Sequence, residues 1–157
     1  MNRLSLLAPL ALIACAQAAT AATLDVIKTP TCGCCSVWIE RMKAAGFTVK
    51  ARDVADTSPV ARAAGVPDRL RSCHTAKVGG YVIEGHVPAA DIKRLLATKP
   101  KGAIGLSAPG MPAGSPGMEM GGRSDRYSVM LIRKDGKHTV WATHGGTAGK
   151  NADGHLH

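Results

Sequence analysis

The sequence has few aromatic residues, few acidic residues and no long apolar run. It contains one phenylalanine, two tyrosines and two tryptophans, and 11 acidic residues against 20 lysines and arginines, which gives a net charge of +9. A nucleic-acid-binding surface needs clustered basic residues with aromatic side chains among them, whereas the basic residues here are scattered along the chain. We therefore expect a basic but solvated surface, and no nucleic acid among the partners.

The N-terminus has the pattern of an export signal. Arg3 precedes an apolar run at residues 4–14, which is too short to remain in a membrane as a spanning helix. Small residues at 16–21 suit a signal peptidase, so residues 1–22 are predicted to be a signal peptide for export to the periplasm, with no transmembrane segment in the mature chain. In the alternative interpretation, residues 12–15 form a lipobox and the protein is a lipoprotein anchored through Cys15.

Residues 23–100 predict one α/β domain. Strands are predicted at residues 24–29, 47–54, 73–78 and 81–87, and helices at residues 36–45, 56–64 and 88–96. Gly79 and Gly80 separate the last two strands and indicate a hairpin. The order βαβα followed by ββα is that of a thioredoxin-like domain, and the clustered cysteines fall where that fold places its chemistry.

The remainder of the chain changes in composition. Residues 101–123 are rich in glycine, proline and methionine, and we predict a loop there that does not hold regular structure for long. Residues 124–143 are predicted to form a C-terminal β-hairpin packed on the same domain. Residues 144–157 are predicted to be a flexible, histidine-containing tail.

Three cysteines, Cys32, Cys34 and Cys35, lie within four residues, and Cys73 is the only other cysteine in the predicted domain. Crowded thiols make a poor disulfide staple, because a disulfide needs Cα atoms about 5.5 Å apart and a defined torsion. The N-terminus of a helix favours the thiolate form, which both attacks disulfides and binds metals. The position of the cluster alone therefore leaves both kinds of chemistry open.

The spacing of the cysteines favours a metal site over thiol–disulfide exchange. Cys32 and Cys35 form the C-x-x-C pair of thiol–disulfide oxidoreductases, but Cys73 stands where thioredoxins keep a cis-proline, and no proline lies between Pro67 and Pro88. Thiolates and thioethers select Cu(I), whereas zinc gains nothing from methionine. Two alternatives stay open: an oxidoreductase with Cys32 as nucleophile and Cys35 as resolving thiol, and a mononuclear zinc protein with four cysteine ligands. No C-x-x-C-H motif for haem attachment is present.

Two methionines and a histidine are further candidate metal ligands. Met111 and Met118 lie in the glycine-rich loop, where their thioethers could reach the cysteines, or could fill gaps in packing. His74 follows Cys73 directly in the sequence. It is either a metal ligand or a hydrogen-bonding neighbour that orients Cys73. His86 is predicted to be structural.

Several motifs together resemble the CopG-type periplasmic copper-resistance family, formerly a domain-of-unknown-function family. These are Thr-Cys-Gly-Cys-Cys at 31–35, Cys-His at 73–74 before Val-Gly-Gly-Tyr, Glu-Gly-His-Val-Pro at 84–88, and Pro-Gly-Met at 109–111 and 116–118. The resemblance spans residues 24–120 and implies a thioredoxin-like fold.

It also implies a multinuclear Cu(I) thiolate cluster bridged by Cys32, Cys34, Cys35 and Cys73. The implied role is copper resistance by sequestration or by Cu(I)/Cu(II) conversion, which leaves open whether the protein is an enzyme, a copper oxidoreductase. The expected partners are copper ions, with other periplasmic copper-handling proteins as candidates.

Overall fold

The structure is a computed structural model that describes residues 21–119 and 121–146. Most of the predicted signal peptide, including Cys15, lies outside the described residues, as do Met120, His155 and His157. Among the residues that are described, no helix is both long enough and apolar enough to cross a membrane.

The described chain forms a single mixed sheet with helices packed on it. The strands are β1 (Thr23–Lys28), β2 (Thr48–Asp53), β3 (His74–Val78), β4 (Tyr81–Gly85), β5 (Ala103–Ala108), β6 (Tyr127–Arg133) and β7 (His138–His144). The helices are α1 (Gly33–Ala44), α2 (Ser58–Ala63) and α3 (Ala89–Thr98), with a short 3-10 turn at Asp68–Leu70. The strand order across the sheet is β2-β1-β3-β4-β5-β6-β7.

The first half of the chain follows the predicted order of elements. β1 and β2 are parallel and joined through α1, while β3 runs antiparallel to both β1 and β4. Gly79 and Gly80 close the β3–β4 hairpin with φ angles of +54° and +83°, the conformation that a tight two-residue hairpin turn requires. α1 begins at Gly33 rather than at residue 36, so Cys34 and Cys35 lie inside its first turn and Cys32 is its N-cap.

β5 is a strand that the sequence analysis did not predict, because it lies in the segment 101–123 expected to be a loop. It pairs in parallel with β4 and antiparallel with β6. Alanine, glycine and serine have low β-propensity, but pairing on both sides overrides that preference. Gly105 permits the close approach, since a Cβ there would lie 1.8 Å from the Val82 carbonyl oxygen.

The β6–β7 hairpin extends the same sheet beyond β5. The predicted tail starts too early, because His144 is the last residue of β7 and lies opposite Tyr127 in the strand register. Its Nε2 atom is 2.6 Å from the buried carboxylate of Asp91 on α3. This contact joins the end of the hairpin to α3.

Helices cover both faces of the sheet. Val82 and Ile83 are neighbours in β4 and therefore point to opposite faces; Ile83 packs with residues of α1 and α3, and Val82 packs with Ala61 of α2. Trp38 of α1 is fully buried, and its Nε1 donates a hydrogen bond of 3.0 Å to the Val87 carbonyl oxygen. That bond joins α1 to the segment that follows β4.

The contact between β4 and β5 yields a stability prediction. Gly105→Ala should lower the free energy of unfolding by roughly 2–4 kcal/mol, because its methyl group would force the two strands apart. Gly33→Ala is the matched control, since a Cβ at Gly33 meets nothing within 4 Å. Denaturant unfolding of the reduced, metal-free protein measures both; equal stability of the two variants would contradict the close packing at Gly105.

Candidate metal centre

The four cysteines of the domain meet at one end of the sheet. The antiparallel register of β1 and β3 places Lys28, where β1 ends, opposite His74, where β3 begins. Cys73 therefore lies beside the turn that leads from β1 into α1, which carries the other three cysteines. The sulfur atoms of Cys32, Cys34, Cys35 and Cys73 all lie within 4.8 Å of one another.

Two of the sulfurs are joined. Cys32 and Cys35 form a disulfide with their Cα atoms 5.4 Å apart, and Cys34 and Cys73 are free thiols. The expectation that the crowded cysteines pair poorly is wrong for this pair, because the first helical turn brings residues three apart to a suitable Cα separation. The Sγ of Cys34 is 3.5 Å from that of Cys32, and the Sγ of Cys73 is 3.5 Å from that of Cys35.

The sulfurs differ in exposure and protonation. Cys35 is fully buried, whereas the other three are partly exposed. Burial, together with the nearby Cys34, raises the pKa of Cys73 to about 12, so this thiol is protonated at neutral pH when no metal is present. A metal bound by Cys73 must displace that proton.

His86 lies against the cysteines, although it was predicted to be structural. Its ring is buried, with Nε2 3.1 Å from the Cys73 sulfur and Nδ1 2.8 Å from the Pro116 carbonyl oxygen. A carbonyl oxygen only accepts, so Nδ1 carries the proton and Nε2 presents its lone pair towards Cys73. Burial lowers the pKa of His86, which keeps the ring neutral.

The hairpin itself could have revealed this contact. A two-residue turn pairs residues that are equally distant from it, and the observed register follows that rule, with Thr75 opposite Glu84. Continued beyond the strand, the same register places Cys73 opposite His86, each six residues from the nearer turn glycine. Cys73 and His86 both lie within the predicted strands 73–78 and 81–87, so the Gly-Gly turn fixes them as a cross-strand pair.

His74 lies on the inner side of the centre. It is fully buried, its Nδ1 is 3.5 Å from the Cys73 sulfur, and its ring packs against Trp38 at 4.5 Å between centroids. Burial, and then the neighbouring His86, lowers the pKa of His74 to about 3. Its Nε2 is buried without a hydrogen-bond partner among the described residues. Cys73, His74 and His86 form a second group whose ligand atoms all lie within 4.8 Å of one another.

Part of the methionine-bearing loop crosses the centre. A Cβ on Gly117 would lie 2.8 Å from both the Cys34 carbonyl oxygen and the Trp38 amide nitrogen, so the loop backbone rests directly on α1. Met118 follows this contact and is half-buried, whereas Met111 is 55% exposed. The loop thus brings the backbone beside Met118 to the cysteines; ligation by Met118 or Met111 stays a prediction.

A buried carboxylate holds the segment before Cys73. Glu84 is 1% exposed and accepts hydrogen bonds from the Ser72 amide at 2.8 Å and from the Thr75 hydroxyl at 2.7 Å. Burial raises the pKa of Glu84. The Ser72 hydroxyl in turn donates to the Gly110 carbonyl oxygen, so the start of the loop is tied to the cysteine segment.

These features define a class: a mixed α/β protein with four clustered cysteines and two buried histidines at the end of its sheet, suited to a soft metal ion or to thiol–disulfide chemistry. The family model described as "Protein of unknown function, DUF411" matches residues 70–118. Two solved structures match over 79% of this chain and 98% of their own.

Both structures carry the name of a copper resistance protein. "Copper resistance protein copG- Form 2" is 43% identical with a TM-score of 0.75, and "Copper resistance protein copG- Form 1" is 44% identical with a TM-score of 0.74. The chain belongs to the CopG family. No curated protein matches it.

The neutral, buried state of His74 makes stability depend on pH. Between its ordinary pKa of 6.5 and about 3, the unfolded chain binds a proton at this histidine that the folded protein does not. The free energy of unfolding of the metal-free protein should therefore fall as the pH drops below about 6.5, with a contribution from His74 on the order of a few kcal/mol. Chemical denaturation across this pH range measures the slope.

His74→Phe keeps a ring against Trp38 but removes the titrating group, so the slope should become shallower. His86, whose pKa burial also lowers, and Glu84, whose pKa burial raises, are present in both proteins. An unchanged slope in His74→Phe would contradict the assignment.

Proposed function

We propose that this protein binds Cu(I) in a multinuclear cluster bridged by the thiolates of Cys32, Cys34, Cys35 and Cys73, and so contributes to copper resistance. The observation that carries the proposal is the placement of four sulfurs within 4.8 Å of one another. Thiolates are the ligands that Cu(I) prefers. Adjacent cysteines aim poorly at one ion, whereas bridging sulfurs let each cysteine contact a different pair of ions. Identity of 43% to a copper resistance protein supports the same role.

Copper binding on this proposal is linked to the redox state of the cysteines. The Cys32–Cys35 disulfide must accept two electrons before all four sulfurs can act as thiolates. In the reverse reaction, two thiolates form a disulfide and release two electrons. These electrons can reduce two Cu(II) ions to Cu(I). The centre thus suits either sequestration or Cu(I)/Cu(II) conversion, the reaction of a copper oxidoreductase.

Histidine nitrogens and methionine thioethers complete the proposed set of copper ligands. His86 is held by the Pro116 carbonyl with its Nε2 free to bind, an arrangement common for metal-bound histidines. His74 presents Nδ1 to the same sulfur. Met118 and Met111 are proposed as thioether donors from the loop.

We further propose a thioredoxin-like core at residues 23–100. The strand order β2-β1-β3-β4, with β3 antiparallel to its neighbours, supports it. We propose two additions to the same domain: the segment at residues 101–123, which contains β5, and the hairpin at residues 124–143. We propose export to the periplasm through a signal peptide at residues 1–22, with lipid anchoring through Cys15 as the alternative.

A second candidate function is favoured by the disulfide itself. Cys32 is partly exposed and Cys35 buried, which suits a thiol–disulfide oxidoreductase with Cys32 as nucleophile and Cys35 as resolving thiol. A mononuclear zinc site with four cysteine ligands is the third candidate.

Metal titration separates these functions. Reduced protein titrated with Cu(I) under anaerobic conditions should bind more than one copper per chain, and Cys34→Ser and Cys73→Ser should each lower that number because a bridging sulfur is lost. Metal analysis after removal of unbound copper gives the stoichiometry.

Two results would contradict the cluster. Saturation by one zinc with weak copper binding would favour the zinc site. Unchanged copper binding in Cys34→Ser, together with loss of insulin disulfide reduction in Cys32→Ser, would favour the oxidoreductase.

The role of the loop can be tested with one thioether. Met118→Leu should weaken Cu(I) retention roughly tenfold, or ~1.4 kcal/mol, at unchanged folding stability. Competition with a chromophoric Cu(I) chelator measures retention. Met130→Leu is the matched control, since Met130 packs on the α2 side of the sheet. Equal retention by the two variants would reduce Met118 to a packing role.

A further inference from the structure

The disulfide has a free thiol beside each of its sulfurs, and these sulfurs differ in access. Cys32 is partly exposed, whereas Cys35 is fully buried, so a thiol from solution reaches Cys32 but not Cys35. The Cys73 sulfur lies 3.5 Å from that of Cys35. Cys73 is therefore an internal thiol placed against the sulfur that external thiols do not reach.

We propose that Cys73 exchanges with this disulfide, so that the protein interconverts two disulfide isomers. The Cys73 sulfur attacks the Cys35 sulfur, the Cys35–Cys73 bond forms, and the Cys32–Cys35 bond breaks. Cys32 leaves as a thiolate. One disulfide is present before and after, so no electron enters or leaves the protein.

The Cys73 thiol must lose its proton before it attacks, and His86 is placed to relay that proton to solvent. His86 Nε2 lies 3.1 Å from the Cys73 sulfur, and the Pro116 carbonyl holds the Nδ1 proton that makes Nε2 the acceptor. Cys32, once released, takes a proton from solvent because it is partly exposed. His86 gives the proton that it received to solvent, so one thiol proton is lost at Cys73, one is gained at Cys32, and His86 is neutral before and after.

The two isomers leave different thiols available. The Cys32–Cys35 form leaves Cys34 and Cys73, which come from different parts of the chain. The Cys35–Cys73 form leaves Cys32 and Cys34, whose sulfurs are partly exposed and already 3.5 Å apart in the Cys32–Cys35 form. Exchange therefore moves the disulfide to Cys35, the buried cysteine, and Cys73. It leaves the partly exposed Cys32 and Cys34 as two adjacent thiols. This behaviour belongs to the metal-free protein and does not depend on copper binding.

Peptide mapping detects the exchange because trypsin separates the partners. Cleavage after Lys28 and Arg41 releases residues 29–41 with Cys32, Cys34 and Cys35, and cleavage after Arg71 and Lys77 releases residues 72–77 with Cys73. A Cys32–Cys35 bond stays within one peptide, whereas a Cys35–Cys73 bond joins two. Cys15, where present, falls in a third peptide, at residues 4–28.

The experiment uses metal-free Cys34→Ser protein, in which Cys73 is the one thiol left at the centre once Cys32 and Cys35 are paired. The protein is oxidised with one equivalent of diamide, incubated without denaturant, and sampled over time by blocking free thiols with N-ethylmaleimide at mildly acidic pH before digestion. We expect the cross-link between the two peptides to grow while the total number of disulfides stays constant, and fragmentation to locate it at Cys35.

Cys34→Ser/Cys73→Ser is the control and should show only the bond within residues 29–41. Two results would overturn the proposal: a disulfide that stays within residues 29–41 at every time, or a cross-link that fragmentation locates at Cys32. Far-ultraviolet circular dichroism checks that both variants are folded, so that neither result can be attributed to unfolding.

Discussion

The antiparallel register between β1 and β3 is the constraint on which the centre depends. It sets Lys28 opposite His74 and so places Cys73 beside the turn that starts α1. The register of the β3–β4 hairpin, set by Gly79 and Gly80, then brings His86 to the other side of Cys73. Sulfurs from the first turn of α1 and from the start of β3 therefore meet the imidazole that follows the end of β4.

The C-terminal part of the chain contributes to the centre as well as to the sheet. β5 adds to the edge of β4 and delivers the loop to Gly110, where the Ser72 hydroxyl binds it. The loop then returns to the centre, where the Pro116 carbonyl sets the tautomer of His86 and Gly117 lies against α1. Removing the loop would leave His86 without the group that directs its Nε2 towards Cys73.

The elements up to residue 100 are predictable from the sequence because strong β-branched and helical patterns mark them, with Gly-Gly and proline at the breaks. β5 was missed because Ala103–Ala108 owes its conformation to its partners on both sides rather than to propensity. The convergence of the four cysteines was predicted from their place in the element order. The disulfide and the position of His86 were not, since both depend on side-chain positions within a turn and across a hairpin.

The proposed function requires that copper binds to sulfur at this centre. Copper K-edge X-ray absorption of the Cu(I)-loaded protein tests this most directly, because it reports both the ligands of copper and the presence of neighbouring copper atoms. We expect a first shell dominated by sulfur and a resolved copper–copper distance, which bridging thiolates require. A first shell of nitrogen and oxygen, with no copper neighbour, would contradict the account.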